Sequence, residues 1–223
     1  MDFTDVIGYL PFLVAGLQGT LTLAVGAMVV GVVVGLLVGL GRLSPVAPIR
    51  IAAGLYVDFV RSVPLLVLLI FYVYAVPILI LNLTDQRLII DPIFAGITGL
   101  GLYEAAYFAE VFRAGVLAVP SGQREAALSS GMTSTQAMRR VVLPQAVRKM
   151  IPPSASLFVT ATKDTSIAFA IAVEELMAKA GFLINFTFRP IEVLIVVAVI
   201  YFVLLYPMTL VAQYLERRVM RYA

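Results

Sequence analysis

Apolar residues fill five stretches of the chain, at 11–41, 55–81, 92–119, 150–173 and 191–215. Each is long enough to cross a hydrocarbon core of about 30 Å at about 1.5 Å per residue. The pattern predicts an all-α, polytopic membrane helical bundle of about five transmembrane helices, forming one transmembrane domain over 1–223. A polar segment at 121–144 separates the third stretch from the fourth. There Ser121 is placed to cap a short helix, and Gly131 is a natural stop. Thr133 and Gln136 have the spacing of a capping box for a second helix, expected to end near Pro144. The pattern alone leaves two uses open for this pair of helices: an amphipathic connector resting on headgroups, or a joint to another protein.

Composition narrows the class. The chain is 61% hydrophobic and 13% charged, too apolar for a soluble domain. The net charge of +3 gives no footprint for nucleic acid. Cys and His are both absent, which removes disulfides, thiol chemistry and the usual zinc sites, so no metal site is expected. Asp2 and Asp5 stand where a cleavable signal would carry positive charge. No GxxxxGK[ST] phosphate loop occurs, so any ATP used must be hydrolysed by another chain.

Charge also orients the bundle. Arg42 and Arg50, then Arg124, Arg139, Arg140, Arg148 and Lys149, then Arg217, Arg218 and Arg221 fall on one set of loops. The opposite set holds only Arg87, Lys179 and Arg189. The basic set is expected in the cytoplasm, with the N-terminus outside and the C-terminus inside.

Polar residues inside the apolar stretches are costly and need a reason. Glu104 and the run Thr160, Lys163, Asp164, Thr165 and Ser166 fall near the midplane by residue count. They line a polar site, or Lys163 pairs with Asp164 or Glu104 to hold the bundle. Asp58 and Arg61, like Glu110 and Arg113, have the spacing of local ion pairs, with a substrate contact the second reading for Arg61. Pro64 is expected to kink the second span. Gly31, Gly35 and Gly39 form a small-residue face, expected to serve packing within the chain. Asn185 to Pro190, with Glu174, Glu175 and Glu192, reads as a solvated outer stretch or a contact for another protein.

Glu125-Ala126-Ala127, then Gly131, Val141 and Leu143-Pro144 match the EAA signature of ABC importer permeases, with Val141 where Ile is usual. "FVRSVPLLVLLIFY" (59–72), "EAAYFAEVFRAGV" (104–116) and "TKDTSIAFAI" (162–171) resemble stretches of the polar amino acid permeases among them. "EAAYFAE" resembles those for acidic amino acids more than those for basic ones.

This resemblance implies a type I importer fold in a bacterial inner (cytoplasmic) membrane. The chain would be a non-catalytic subunit with no cofactor of its own. A second permease chain, identical or related, an ABC ATPase dimer binding ATP and Mg, and a soluble amino acid-binding protein would complete the importer. The polar segment would be a coupling helix seated in the ATPase. Ala126, Ala127 and Gly131 would allow close docking, Arg124 and Glu125 would pair with the partner, and Leu143 and Pro144 would close the joint. The resemblance also gives the midplane residues a ligand. Glu104 and Asp164 could receive the ammonium of an amino acid, while Lys163, Thr165 and Ser166 donate to its carboxylate. A stand-alone secondary transporter or channel is the rival reading. Inverted repeats are common in that class, and none is evident here.

Overall fold

The computed structural model describes residues 4–220, and it contains no strand among them. A short helix α1 (Thr4–Gly8) leads into α2 (Leu10–Arg42). The 33 residues of α2 have Pro11 in the first turn, where its missing N–H costs nothing. The glycine face is turned on α6 (Pro92–Leu117). A Cβ at Gly35 would sit 2.8 Å from the Ala105 carbonyl oxygen, one at Gly39 2.8 Å from the Phe112 ring, and one at Gly31 3.0 Å from the Glu104 Cβ. The small-residue face thus serves packing within the chain.

The second stretch divides differently from the expectation. Helix α3 (Ala47–Ser62) ends before Pro64, and α4 (Leu65–Ile70) begins after it. Val63 is extended, at φ −102° and ψ 134°, because a proline disfavours helical backbone in the residue before it. Pro64 therefore separates two helices rather than kinking one, and the span starts at Leu65 instead of position 55. A π-turn at Phe71–Ala75 connects α4 to α5 (Val76–Thr84). This wide turn precedes Pro77, which lacks an N–H and crowds the carbonyl four residues back. Asp91 starts α6, its Oδ1 accepting from the Phe94 N–H at 3.0 Å.

The polar segment folds as α7 (Ser121–Ser129), a glycine joint and α8 (Ser134–Ala137). Ser121 is the first residue of α7 and does not cap it; Pro120 holds that position without a side-chain bond. The second short helix also does not end near Pro144. From α8 a π-turn at Met138–Val142 runs directly into α9 (Leu143–Asp164). Pro144 lies in the first turn of α9, with the π-turn absorbing its missing bond. A 3-10 helix at Thr165–Ile171 continues from Asp164 and ends at Ala172, which is left-handed with φ +62°. The fourth span is thus α9 with this tighter extension, and it starts before position 150.

Residues after Glu175 form a helix, α10 (Leu176–Thr187), which takes in Asn185 to Thr187 of the stretch expected to be solvated. Leu176, Ala180 and Leu183 on it pack with Leu13, Val193 and Val197. Glu175 is fully buried and caps α10, accepting from the Ala178 N–H at 2.7 Å. The Leu176 N–H donates to Thr20 Oγ1 at 3.2 Å. The second of these bonds ties α10 to α2. Glu174 remains exposed, bonded by Lys179 Nζ at 2.7 Å, and that bond holds its carboxyl below the usual carboxylate range. The last helix is α11 (Pro190–Met220).

Among the described residues, three helical paths are long and apolar enough to cross a membrane by length and composition: Leu10–Arg42, Leu65–Thr84 and Pro190–Val219. Helix α6 packs on α2 and α4, and α9 packs on α6 and α11, which leaves Glu104 and Thr162 buried inside the bundle.

Candidate functional site

Two constellations emerge, one at the polar segment and one in the bundle. At the polar segment, α7 ends in a Schellman motif. Gly131 has φ +84°, its N–H donates to the Leu128 oxygen at 3.0 Å, and the Met132 N–H donates to the Ala127 oxygen at 3.2 Å. The capping box forms as its spacing predicts. Gln136 N–H donates to Thr133 Oγ1 at 3.3 Å, and Thr133 N–H donates to Gln136 Oε1 at 2.9 Å. Arg124 Nη2 reaches across the joint to Ser134 Oγ at 3.2 Å. Ala127 and Val142 are buried, whereas Arg124, Glu125, Ala126, Gly131 and Pro144 are exposed. Leu143, half-buried, packs on the cluster of Phe112, Val142, Ala146 and Met150. One side of the joint is therefore anchored to α6 and α9, while the other is offered to solvent.

Inside the bundle, Glu104 is 2% exposed. Its Oε1 is a buried oxygen without a hydrogen-bond partner, an arrangement that costs stability unless something else satisfies it. Asp164 is half-buried at the end of α9. The Tyr103 and Tyr107 hydroxyls are 2.9 Å apart, and the Arg61 guanidinium lies 5.3 Å from the centre of the Tyr107 ring. Arg61, Tyr107 and Tyr103 thus form one polar track from α3 to α6, with Glu104 next to Tyr103 in sequence. A cavity of about 400 Å³ opens beside it, lined by Arg61, Glu110, Lys149 and Pro153.

The other predicted residues are arranged differently. Lys163 is exposed, and it pairs with neither Glu104 nor Asp164, since the ion pairs lie elsewhere among the described residues. Thr165 is fully buried, and its hydroxyl donates to the Thr162 oxygen at 2.8 Å. The Ser166 hydroxyl donates to the Lys163 oxygen at 2.8 Å. Both hydroxyl protons are therefore used by the backbone, leaving their oxygens to accept only. Arg61 does not pair with Asp58, whose nearest cation is Arg42 at 3.9 Å. Glu110 and Arg113 do pair, at 2.9 Å, and Arg42 closes on the same carboxylate to join α2 with α6. Tyr103 and Tyr107 escaped the sequence reading. Their signal was an i, i+4 aromatic pair beginning beside an intramembrane acid.

Known proteins are similar to the chain over nearly its whole length. A family model described as binding-protein-dependent transport system inner membrane component matches residues 9–221. The glutamate/aspartate import permease protein GltK of Escherichia coli O157:H7 is 32% identical, covering 97% of this chain and 97% of its own. The L-cystine transport system permease protein TcyB of Bacillus subtilis (strain 168) is 36% identical, over 95% of this chain and 88% of its own. An amino acid ABC transporter crystallised with histidines superposes with a TM-score of 0.89 at 34% identity, over 98% of this chain and 99% of that one. The chain is a multi-pass membrane protein that belongs to the family of binding-protein-dependent transport system inner membrane components.

Proposed function

We infer that this chain is the membrane-spanning permease subunit of an ATP-driven importer for amino acids. The observation that carries this reading is a buried, unsatisfied carboxylate at Glu104, in a bundle whose polar joint is capped at both of its short helices. The similar proteins are named for glutamate and aspartate, cystine and histidine. Those ligands differ in side chain but share an α-ammonium and an α-carboxylate. Glu104 and Asp164 supply acceptors for the ammonium, and Lys163 or Arg61 supplies charge for the carboxylate.

The exposed face of α7, Gly131 and α8 seats in a cytoplasmic ATPase subunit, which binds ATP and Mg. Its movement passes through the π-turn at Met138–Val142 into α9, the helix that ends at Asp164. The reaction needs a second permease chain, identical or related, two ATPase chains, and a soluble binding protein that delivers the amino acid outside.

Uptake into vesicles carrying the assembled complex tests the reading. Transport should require ATP. Asp164→Asn and Glu104→Gln should each weaken apparent uptake affinity by roughly ten- to a hundredfold, the worth of one charge-assisted hydrogen bond. Unchanged affinity in both variants, with assembly and basal ATPase intact, would place the ligand elsewhere. Transport without ATP would overturn the importer itself.

A further inference from the structure

A second cavity, of about 680 Å³, lies at the basic end of the bundle, between the start of α7, α9 and the end of α11. Its polar wall carries Arg148, Lys149 and Arg218, and its apolar wall Ile151 and Leu215. Among the described residues, no carboxylate lines it. Neither Arg148 nor Arg218 is in an ion pair among the described residues, and the Lys149 ammonium donates only to the Ala118 carbonyl oxygen at 2.8 Å. Three cations gathered without a counter-ion repel one another, so the cavity favours an anion. Two guanidinium forks suit phosphate oxygens in particular.

The surroundings identify the source of that phosphate. Exposed apolar side chains continue along the same helices, Val147 and Ile151 on α9, and Leu210, Val211 and Tyr214 on α11. A free ion has no use for such a wall, but an acyl chain does. We propose that the cavity holds the phosphate headgroup of an anionic phospholipid of the inner leaflet, one per chain. The leaflet assignment uses the orientation inferred above. Binding at the cavity itself depends neither on orientation nor on the amino acid site.

Native mass spectrometry of the detergent-solubilised complex, supplied with phosphatidylglycerol or phosphatidylcholine, tests this. The complex should retain one phosphatidylglycerol per permease chain and no phosphatidylcholine. The double variant Arg148→Gln/Arg218→Gln should lower retention by roughly tenfold or more, while Arg50→Gln, basic but remote, should leave it unchanged. Equal loss in Arg50→Gln would mean diffuse surface charge and overturn the proposal. So would competition by millimolar inorganic phosphate, which would mean a free-anion site. Release of the ATPase from the double variant would overturn it too, assigning the cations to the subunit joint. If the double variant fails to fold, a photoreactive phosphatidylglycerol on the unaltered complex decides. Labelling of 145–151 or 215–219 supports the site, and labelling confined to other regions rejects it.

Discussion

Gly131 is the residue on which the polar joint turns. At φ +84° it occupies the left-handed region, and open space surrounds the position of a Cβ. Gly131→Ala should therefore cost backbone strain alone, about 1 kcal/mol, without a steric clash. Thr133→Ala removes the capping acceptor and should cost a further ~1 kcal/mol. Neither change touches the bundle core. Thermal melting of the permease should fall by only several degrees in the double variant while substrate-stimulated ATP hydrolysis falls, and normal stimulation in the double variant would show that the joint carries no coupling. Glu104 presents the opposite situation, with an acid in a crowded interior. It was legible from sequence because any carboxylate in an apolar run demands an explanation. Tyr103 and Tyr107 were not, since tyrosine in a membrane helix is ordinarily an interfacial residue and raises no such question.

Between elements, the contact of α2 with α6 is made largely through backbone. Gly35→Leu should break it, because the new side chain would start 2.8 Å from both the Ala105 oxygen and the Phe108 Cβ. Gly181→Leu, with open space around it, serves as the matched control. The first should abolish a monodisperse peak in size-exclusion chromatography, and the second should preserve it. The apolar stretches 11–41 and 92–119 fall close to the ends of α2 and α6, because lipid imposes length and composition together. Proline effects were harder to read. Pro64 ends a helix, whereas Pro144, Pro152, Pro153 and Pro207 all lie within helices. The difference depends on whether a π-turn or neighbouring packing absorbs the lost bond, which the chain order does not display. Helix α10 was missed for a related reason. The acids before it, Glu174 and Glu175, looked like solvated polar residues, yet Glu175 is buried because it caps the helix that follows it.

At the scale of the whole molecule, basic residues gather at the end that carries α7 and α8, and this sets the inferred orientation. The chain has no cysteine, so a single Ser134→Cys reports its side of the membrane without background. A membrane-impermeant thiol reagent should label it in inside-out vesicles and leave it unlabelled in intact cells, and labelling in intact cells would invert the bundle. The glycine contact between α2 and α6 has one more consequence, for how such a chain can change in length. One added residue inside α2 turns everything beyond it by about 100°. It would carry Gly31, Gly35 and Gly39 off the helix they touch and bring bulky side chains into their place. The link from Asp85 to Asp91 bears no such register, being exposed nearly throughout. Insertions should therefore accumulate in that link among descendants of this chain, while the length of α2 stays fixed even where its individual residues drift.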